Sequence, residues 1–429
     1  MNTIAEIAAR VPGYDPNDLT AEAVQAFLQR LVQPVQEVQD VGIFSALGRV
    51  LARDVVSPLN VPPHDNSAMD GYAFDGAQLQ PGVPLTLRCT GHALAGRPWR
   101  GTAQPGQCVK VMTGAVMPQG LDTVVPVEMV VVEDDRVEIP ADVLRPGANR
   151  RRAGEDLQQG GVALGEGAVL TPAALGLLAS LGLASVPVVR RVRVAYFSTG
   201  DEILSLGEPP RDGAVYDSNR YTVFGLLTRL GAEVIDLGVV PDTPEALQAA
   251  LREGAERADA VITSGGVSMG DADHTRTMMQ SLGDVAFWRI AMRPGRPMAV
   301  GRIARTAGPG AGSAVLFGLP GNPVAVMVTF LAFVRPALLR MMGSTRADPP
   351  LVRACSTEPI RKKPGRTEYQ RGWVSRAADG NLQVRTTGHQ GSGMLSSMVQ
   401  ANCLILLQHG QGSVDVGDAV EVMVFEGVV

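Results

Sequence analysis

The segment DAVITSGGVSMGDADH, residues 259–274, contains the features on which the fold prediction rests. Residues 260–263 are mostly apolar and few enough for a buried strand, and a helix can begin near Asp273 or His274. A glycine-rich turn with hydroxyl side chains separates the two elements. Its glycines and hydroxyl residues are Gly265, Gly266, Gly270, Thr263, Ser264 and Ser268. This order of strand, turn and helix is typical of one unit of an α/β sheet.

The glycine-rich turn can bind an anion, because a glycine-rich loop and a helix N-terminus present free backbone N–H groups. Asp271 and Asp273 lie in the same segment. Carboxylates fit an anion site when Mg²⁺ lies between them and a phosphate. The alternative is a tight turn in which an aspartate only caps the helix. Glycine spacing by itself does not separate these two interpretations.

Alternating strands and helices continue on both sides of this segment. Further strands are predicted at residues 192–197, 233–238, 285–290 and 314–319, and helices at 218–230, 244–258, 273–282 and 323–342. This alternation predicts an α/β domain with a doubly wound parallel sheet. Ligands bind such sheets at the carboxyl ends of the strands. The acidic residues expected at that edge are Asp201, Glu202, Asp242, Asp271 and Asp273.

The remaining chain is predicted to form helical and β-rich domains. Helices are predicted at residues 19–31, 44–55 and 172–182, and strands at 85–89, 108–112, 123–127, 130–133, 369–374, 382–386, 404–408 and 420–425. Helical segments on both sides of the first β-rich stretch indicate an inserted domain. The predicted domains are an N-terminal helical region at 1–56 continued by 156–189, an inserted β-rich domain at 57–155, the α/β domain at 190–342 and a C-terminal β-barrel-like domain at 343–429.

Composition excludes several classes of protein. The chain has 429 residues, too many for a single core, and its net charge of −5 argues against wholesale binding of nucleic acid. No segment reaches the roughly 20 apolar residues that span a membrane. Four distant cysteines fit a reducing cytoplasm, and five histidines lack the spacing of a zinc site. The sequence also lacks P-loop, nucleophile-elbow and dinucleotide-binding motifs.

Further polar sets are candidates for binding or catalysis. The segment VPPHDNSAMDGYA, residues 61–73, is either a site or a turn-rich connector. The run at 150–152 consists of arginines, which bind phosphate when they converge and otherwise form a solvated surface. A surface hairpin is the alternative for the arginines near residue 293. These arginines are Arg289, Arg293 and Arg296. The last set of candidates lies near the C-terminus and consists of Arg366, Arg371, Ser392, Ser396 and Ser397.

Taken together, these motifs resemble the molybdopterin molybdenumtransferase family, which includes the bacterial MoeA proteins and the E domain of gephyrin. The matching segments are residues 65–72, 152–157, 198–202, 263–273, 287–297, 319–324 and 387–392. The resemblance implies an elongated homodimer whose α/β domain is a molybdopterin-binding, MogA-like domain. It also implies transfer of molybdenum from molybdate to the dithiolene of adenylyl-molybdopterin, with Mg²⁺ and release of AMP.

The resemblance also implies roles for individual residues. Catalytic roles are implied for Asp70, Thr113, Asp156 and Glu202, and Mg²⁺ binding for Glu202, Asp242 and Asp273. Binding of molybdate or of the pterin substrate is implied for Ser264, Gly265, Gly266, Ser268, Arg289, Arg293, Arg296, Pro320, Pro323, Arg366, Arg371, Ser392 and Ser397. The resemblance leaves open which member of the pairs Arg366 and Arg371, and Ser392 and Ser397, contacts molybdate.

The chain departs from the family pattern at two places. Relatives often have lysine at the positions of Arg289, Arg293 and Arg296. Arginine keeps the charge but binds planar groups in a bidentate manner, whereas lysine acts as a point charge. Relatives also often have serine where this chain has Ala325. The pattern is compatible with molybdate and with tungstate as the substrate.

Two other functions are compatible with parts of the sequence. The α/β segment alone resembles molybdopterin adenylyltransferase, and gephyrin-like proteins also act as scaffolds. Asp70 and Asp156 lie outside the α/β segment, and the sequence adds no interaction domain, so the metal-inserting enzyme is favoured. The resemblance further implies molybdopterin adenylyltransferase as the partner that donates the substrate, no nucleic-acid or membrane partner, and a cytoplasmic location.

Overall fold

A mixed sheet lies at the centre of the α/β part of the chain, in a computed structural model that describes residues 2–266, 273–306 and 312–425. The side chains of residues 273–276 lie outside this description. Within the described residues the sheet has six strands. In spatial order they are Glu233–Val240, Arg193–Thr199, Ala260–Ser264, Ser313–Leu319, Pro297–Ala304 and Gly283–Arg289.

The first four strands of the mixed sheet are parallel, which confirms the parallel sheet predicted from the sequence. The last two strands run antiparallel to their neighbours, an arrangement that the sequence pattern did not predict. Only residues 290–296 separate Gly283–Arg289 from Pro297–Ala304. A connection this short favours a hairpin, because a parallel crossover needs about a dozen residues or more.

Helices cover both faces of the mixed sheet, which confirms the doubly wound arrangement. Along strand Arg193–Thr199, Val194 and Tyr196 belong to one hydrophobic core, and Ala195 and Phe197 to the other, because successive side chains point to opposite faces. The first core contains residues of helices Ser218–Leu230, Pro323–Thr329 and Arg335–Met341. The second contains residues of helices Pro244–Arg257 and Asp273–Leu282.

Local sequence signals fix both ends of helix Ser218–Leu230. At its start, the carboxylate of Asp217 accepts a hydrogen bond of 3.0 Å from the N–H of Arg220, as N-cap residues do. At its end, Gly231 takes a left-handed φ of 86°, which a residue without a Cβ atom adopts easily. The sequence predicted both ends correctly.

The long apolar helix after residue 322 is part of the core. It consists of Pro323–Thr329, a π-helical turn at Phe330–Val334 and Arg335–Met341. By length and composition it is the one helix of the described ranges that could cross a membrane, but 83% of it is buried within the protein. Its apolar side chains therefore pack in the core on one face of the mixed sheet.

Two N-terminal helices, Ile4–Ala8 and Ala21–Leu31, pack on the same core. Val24, Phe27 and Leu31 of the second helix are buried there, which confirms the amphipathic helix predicted at residues 19–31. Thr20 caps this helix by accepting a hydrogen bond from the N–H of Ala23 (3.2 Å). The N-terminal segment is thereby attached to the mixed sheet.

The helix predicted at residues 44–55 is wrong. The structure instead has a 3₁₀ turn at Ile43–Ser45, isolated bridges at Val50 and Leu51, and a strand at Val55–Val56. Gly48 has a left-handed φ of 71°, which interrupts any helix at this point. Val50 and Leu51 are buried by pairing with residues far along the chain, so tertiary contacts decided the structure of this segment.

The segments on both sides of the inserted β-rich part meet in a small core, which we call the flanking unit. Strand Val38–Gly42 pairs with Ser185–Val189, and Val55–Val56 pairs with Val162–Leu164. Helix Pro172–Ser180 covers these strands with Ala174 and Leu178. The chain therefore leaves the flanking unit and later returns to it, as an insertion requires.

The inserted β unit contains a six-stranded sheet within the described chain. The strands, in spatial order, are Thr123–Pro126, Gly71–Phe74, Gln107–Val111, Leu85–Ala93, Arg136–Ile139 and Val131–Glu133. The short strands Asn66–Ser67 and Arg150–Arg151 pair beside it, and 3₁₀ turns occupy Gly76–Gln78 and Val127–Met129. The β-rich character predicted for this part of the chain is confirmed.

The C-terminal part forms a closed barrel, which confirms the predicted β-barrel-like domain. Its strands are Leu351–Ser356, Thr367–Arg376, Leu382–Thr386, Cys403–Leu407 and Ala419–Val424. The barrel closes because Thr367–Arg376 pairs with both Leu382–Thr386 and Cys403–Leu407. Strand Met292–Arg293 joins Thr367–Arg376 and connects the barrel to the α/β part. Helix Leu395–Gln400 lies beside it.

Candidate active site

Four loops meet at the carboxyl ends of the parallel strands, as the sequence predicted. They follow Thr199, Val240, Ser264 and Leu319, the last residues of the parallel strands. We call this side of the molecule the sheet edge. Open α/β sheets bind ligands at this side.

A group of carboxylates lies at the sheet edge. Asp201, Glu202 and Asp242 interact there as like charges, and the predicted ligand Asp273, like Asp271, lies outside the described side chains. Partial loss of hydration, followed by the negative charges of Asp201 and Glu202, raises the pKa of Asp242, and the nearby Thr199 hydroxyl acts in the opposite direction. A group of acids that repel one another is the donor set that a hard divalent cation prefers.

The loop from Thr199 to Glu202 depends on a glycine. Gly200 has a φ of 148°, and a Cβ atom at this position would lie 2.6 Å from Oε2 of Glu202. Glycine therefore allows the carboxylate of Glu202 to fold back over the end of its own strand.

The glycine-rich loop approaches the neighbouring strand end closely. Gly265 has a φ of 91°, and a Cβ atom there would lie 2.2 Å from the carbonyl oxygen of Thr199. The N–H of Gly265 donates to the carbonyl oxygen of Leu319 (3.2 Å). The N–H of Gly265 is therefore already used within the protein, and the predicted ligand Ser268 lies outside the described residues.

Ser264 points into the protein. Only 2% of the residue is exposed, and its hydroxyl lies 2.7 Å from the hydroxyl of Tyr196. The side chain of Ser264 therefore supports the loop from below. The predicted contact of Ser264 with substrate stays a prediction. Because the side chain is buried, only the backbone of Ser264 is placed to make such a contact.

A cavity of about 400 Å³, which we call the arginine cavity, lies between the sheet edge and the barrel. Its predicted residues include Arg293, Arg296, Pro320, Arg366 and Ser392. Its other lining residues include Gly295, Gly321, Asn322, Ala325 and Gln390. No acidic residue is among its lining side chains in the described ranges, so its positive charge is concentrated locally.

The structure places the two members of each pair that the sequence left open in different surroundings, and which member contacts molybdate stays a prediction. Arg366 and Ser392 line the arginine cavity. The Nε atom of Arg366 donates to Oε1 of Glu368 at 2.9 Å, which orients the guanidinium group and leaves its terminal nitrogens for a ligand.

Arg371 and Ser397 lie deeper. Ser397 is 4% exposed, and its hydroxyl accepts a hydrogen bond from Nε of Arg371 (3.0 Å). Burial, followed by the nearby charge of Arg293, lowers the pKa of Arg371 to about 10. Arg371, Arg293 and Arg361 line a second cavity of about 250 Å³ next to the first. Arg371 therefore adds positive charge, while Ser397 holds it in place.

Besides Ser397 and the residues of the glycine-rich loop, Arg289 and Pro323 also lie outside the lining of these two cavities. Arg289 is the last residue of strand Gly283–Arg289, and Pro323 begins the helix that follows Asn322. Neither is among the residues that face the arginine cavity or the second cavity. Their substrate contacts stay predictions.

Asp70 and Thr113 form a polar pair at one end of the inserted β unit. The N–H and the hydroxyl of Thr113 both donate to Oδ1 of Asp70, at 2.7 Å each. These two hydrogen bonds lower the pKa of Asp70, because they favour the ionised form. Asp70 is therefore a fixed carboxylate at neutral pH.

Asp156 lies on a loop next to the inserted β unit, at the predicted start of the flanking segment at 156–189. Its backbone N–H donates to the carbonyl oxygen of Val61 (2.9 Å), and its side chain is exposed. The N–H of Ala153 donates to Oδ1 of Asp65 at 2.8 Å. The structure thus brings together the segments at 61–70 and 150–157 that the sequence singled out separately.

The acidic residues of the inserted β unit and those of the sheet edge form separate groups. Across the described chain, no hydrogen bond or ion pair joins Asp70 or Asp156 to Glu202 or Asp242. Each group is held by its own part of the chain.

Comparison with known proteins identifies the family. Family models match residues 19–182 (MoeA N-terminal region, domain I and II), 195–340 (probable molybdopterin binding domain) and 353–425 (MoeA C-terminal region, domain IV). A molybdopterin molybdenumtransferase from Haemophilus influenzae is 40% identical over 94% of this chain and 98% of its own length. The chain belongs to the molybdopterin molybdenumtransferase family.

Other members of the molybdopterin molybdenumtransferase family agree in sequence and in fold. A relative of that name from Nostoc sp. is 37% identical over 90% of this chain and 89% of its own length. The crystal structure of a molybdopterin biosynthesis MoeA protein from Pyrococcus horikoshii OT3 has a TM-score of 0.79 at 27% identity, and covers 95% of this chain and 99% of the other. The family and the fold class predicted from the sequence are both confirmed.

Sequence reasoning missed several residues of the site in this member of the molybdopterin molybdenumtransferase family. Glu368 orients Arg366, and Tyr196 binds Ser264. Asn322 and Gln390 line the arginine cavity. The run RTEY, residues 366–369, would have required the barrel strand to be placed first, because a lone glutamate beside arginines is also typical of a surface ion pair.

Proposed function

We propose that this chain transfers molybdenum from molybdate to the dithiolene sulfurs of adenylyl-molybdopterin and releases AMP. Family membership supports the coarser statement, that the chain is a transferase of molybdenum cofactor biosynthesis, a molybdopterin molybdenumtransferase. The observation that carries the finer statement is the arginine cavity, where Arg293, Arg296 and Arg366 face one space. In the reaction, molybdenum gains two sulfur ligands while an oxide ligand leaves as water with the two thiol protons. A second water molecule attacks the bond between the adenylyl and pterin phosphates, so that AMP and the pterin phosphate separate.

The arginine cavity fits a small tetrahedral dianion. Guanidinium groups bind oxyanions through charge-assisted, paired hydrogen bonds. Ser392 and Asn322 add polar groups to the same wall. Arg371 adds positive charge in the adjoining cavity. These residues bind and orient molybdate beside the sheet edge, although the chain carries a net charge of −5.

The carboxylates of the sheet edge are the proposed ligands of Mg²⁺, although the described side chains by themselves contain no group of three that could hold a metal ion. The pKa of Asp242 is raised by desolvation and by Asp201 and Glu202, so these oxygens gain from a cation between them. Mg²⁺ would offset the charge of the phosphates as AMP departs. Glu202 and Asp242 would hold it, together with Asp273, whose side chain lies outside the described part. The chain's own contribution is to fix these oxygens beside the glycine-rich loop.

The direct test is an assay of AMP release. Adenylyl-molybdopterin is incubated with the protein, and release of AMP is followed while molybdate and Mg²⁺ are added or omitted. We expect release that requires both ions and yields molybdenum-loaded pterin. Adenylyl transfer from ATP to molybdopterin, without molybdate-dependent release, would contradict the proposal and favour the adenylyltransferase alternative.

Arg366 is expected to act on molybdate affinity. Arg366→Met keeps the aliphatic part of the side chain but removes the guanidinium group, so the KM for molybdate should rise about tenfold or more, since a charge-assisted hydrogen bond contributes about 1.5–3 kcal/mol. Steady-state kinetics with varied molybdate measures this. Arg353→Met, an exposed arginine on barrel strand Leu351–Ser356, is the matched control and should match the parent. An unchanged KM for Arg366→Met would contradict the assignment.

We further infer a homodimer, because large apolar side chains are exposed on two parts of the chain. Phe44 is fully exposed, and Leu47 and Val38 of the flanking unit are each 53% exposed. On helix Ser218–Leu230, Tyr221 and Phe224 are 48% and 51% exposed. Exposed apolar side chains of this size mark protein contact sites when they group together. A second copy of the chain would also bring its own set of the acidic residues Asp70, Asp156, Glu202 and Asp242.

Phe44 is expected to support the dimer. Phe44→Glu places a charge in an apolar contact, so the dimer should dissociate at micromolar concentration, as measured by sedimentation equilibrium. Val416→Glu is the control, since Val416 is a 65% exposed apolar residue of the barrel; this variant should keep the mass of the parent. A parent that is monomeric at this concentration, or a Phe44→Glu variant with the parent's mass, would argue against this interface.

We place this activity in the cytoplasm, with molybdopterin adenylyltransferase as the donor of the adenylylated substrate. All four cysteines, Cys89, Cys108, Cys355 and Cys403, are free thiols, which suits a reducing compartment. The adenylyltransferase makes the substrate that this reaction consumes, so the two enzymes act in sequence. The proposal includes no nucleic-acid or membrane partner.

A further inference from the structure

Three buried hydroxyl groups lie beneath the loops of the sheet edge. The hydroxyl of Tyr196 lies 2.8 Å from Oγ of Ser198 and 2.7 Å from Oγ of Ser264. The two serine oxygens are 3.4 Å apart. Tyr196, Ser198 and Ser264 are 1%, 1% and 2% exposed, so the three groups bind one another and not solvent.

The hydroxyl group of Tyr196 connects two neighbouring strands just before their loops begin. Ser198 and Ser264 are paired residues of the parallel strands Arg193–Thr199 and Ala260–Ser264. The next residue on each strand is in close contact with the other loop, since a Cβ atom on Gly265 would lie 2.2 Å from the carbonyl oxygen of Thr199. Hydrogen bonds below and backbone contact above therefore hold the two loops together.

These two loops carry the groups that the proposed reaction needs. The loop after Thr199 contains Glu202, and Thr199 lies close enough to Asp242 to influence its ionisation. The loop after Ser264 contains Gly266, which is proposed to face a phosphate. A small shift between the strands would change the spacing between carboxylates and phosphate, and such spacing controls catalysis.

Burial raises the pKa of Tyr196, so its hydroxyl stays protonated at neutral pH. A neutral phenol has one proton to donate and can also accept hydrogen bonds. Tyr196 can therefore bind both serines at the same time, donating to one and accepting from the other. Phenylalanine would fill the same space but would leave two buried serine hydroxyls with only a long contact to each other.

We propose that Tyr196 is a positioning residue that fixes the spacing between the carboxylate loop at 200–202 and the glycine-rich loop at 264–266, acting through Ser264. This inference rests on the proposed function, because the two loops are taken to hold Mg²⁺ and the phosphates of one substrate. The simpler alternative is a tyrosine that only fills the sheet core. The two roles differ in Mg²⁺ affinity, which a space-filling role does not change.

A double-mutant cycle tests this proposal. The variants are Tyr196→Phe, Ser264→Ala and the double variant, each measured for kcat/KM and for Mg²⁺ affinity by calorimetry. We expect kcat/KM to fall about tenfold and Mg²⁺ affinity several-fold in each single variant, as for the loss of one buried hydrogen-bond partner. The double variant should match the single variants, because both changes remove the same contact.

Tyr14→Phe is the matched control. The hydroxyl of Tyr14 accepts a hydrogen bond of 2.9 Å from Nε1 of Trp288 in the same core, away from the two loops. This variant also loses a tyrosine hydroxyl and should keep the parent's kcat/KM and Mg²⁺ affinity. Loss of Mg²⁺ affinity in Tyr14→Phe would show that any weakening of the core produces the effect, and would overturn the proposal.

The remaining outcomes are equally decisive. Additive losses, about hundredfold in the double variant, would show that Tyr196 does not act through Ser264. Parent-like Mg²⁺ affinity and kcat/KM in Tyr196→Phe would show that it only fills space. If Tyr196→Phe does not fold, Ser264→Ala alone decides, because it removes the same contact, and an unchanged Mg²⁺ affinity there overturns the proposal. If the parent shows no molybdate-dependent release of AMP, the proposed function fails, while the cycle in Mg²⁺ affinity still decides the positioning role.

Discussion

Replacing Asp242 with asparagine is expected to abolish Mg²⁺-dependent release of AMP and to leave the fold intact. The change keeps the size of the side chain but removes an anionic oxygen from the sheet edge. We expect at least a hundredfold loss of kcat, about the effect of removing one group that stabilises charge in a transition state. The assay measures AMP release with saturating molybdate and varied Mg²⁺.

The pKa of Asp242 gives this prediction a second, independent measurement. Desolvation and the charges of Asp201 and Glu202 raise this pKa, so without Mg²⁺ the folded protein binds a proton here more tightly than the unfolded chain does. The contribution of Asp242 to stability therefore falls as the pH rises above its unfolded pKa and through its raised pKa. Mg²⁺ reverses this loss, because it binds the ionised form.

Thermal unfolding with and without Mg²⁺ at several pH values measures this linkage. In the parent, the rise in Tm caused by Mg²⁺ should be larger at neutral pH than at acidic pH, where protons compete for the carboxylates. In Asp242→Asn the Mg²⁺-free protein should be at least as stable as the parent, and the Mg²⁺-induced rise should be small at every pH. A functional site commonly shows this conflict between stability and activity.

A matched control separates the site from general charge effects. Asp135→Asn removes an aspartate that pairs with the exposed Arg88 on the inserted β unit, and such surface pairs contribute little to stability. This variant should retain the parent's activity and its response to Mg²⁺. If Asp242→Asn turned over substrate at the parent rate, the assignment of Asp242 to the metal would be wrong.

Signals close together in the sequence were enough to predict much of the fold. Asp217 and Gly231 mark the ends of helix Ser218–Leu230, because capping depends on residues within one turn. Alternating strands and helices correctly indicated a doubly wound sheet. The helix expected at 44–55 failed, since Val50 and Leu51 are buried by pairing with residues over 100 positions away.

For the site as well, features set by the local order of elements were predicted, and features set by long-range contacts were not. The order of loops placed Glu202 and Asp242 at one edge, because every parallel strand ends on the same side of its sheet. The direction of the Ser264 side chain could not be predicted, since its partner Tyr196 lies 68 positions earlier in the chain. Likewise, only the folded barrel separates Arg366, which faces the arginine cavity, from the buried Arg371. The domain boundaries and the roles of the site residues stay predictions.

Two inactive variants are expected to restore activity in mixed dimers. Asp70 is fixed by Thr113 in the inserted β unit, while Asp242 lies at the sheet edge, and the described residues contain no hydrogen bond or ion pair between the two groups. If each active site combines the inserted unit of one protomer with the sheet edge of its partner, Asp70→Asn and Asp242→Asn can complement each other. A mixed dimer then contains one site without a lesion and one site with both.

The mixed dimer is isolated by co-expressing the two variants with different affinity tags and purifying in two steps. Its AMP release should reach about half of the parent activity per dimer, because one of the two sites of a symmetric dimer is intact. Each variant alone should remain inactive. If both groups served a site within one protomer, every site in the mixed dimer would carry a lesion, and no activity would return.

The decisive control is a second mixed dimer, made from Asp70→Asn and Asp156→Asn. In this control the loop of Asp156 is counted with the inserted β unit, because the segments at 61–70 and 150–157 are joined by hydrogen bonds such as that from Ala153 to Asp65. In a shared site, each inserted unit of this dimer carries a lesion, so both sites stay inactive. Recovery in the first mixed dimer but not in the second assigns Asp70 and Asp156 to one half of the site and Asp242 to the other. Recovery in both would instead mean that Asp70 and Asp156 serve different sites, and recovery in neither would place the complete site within one protomer.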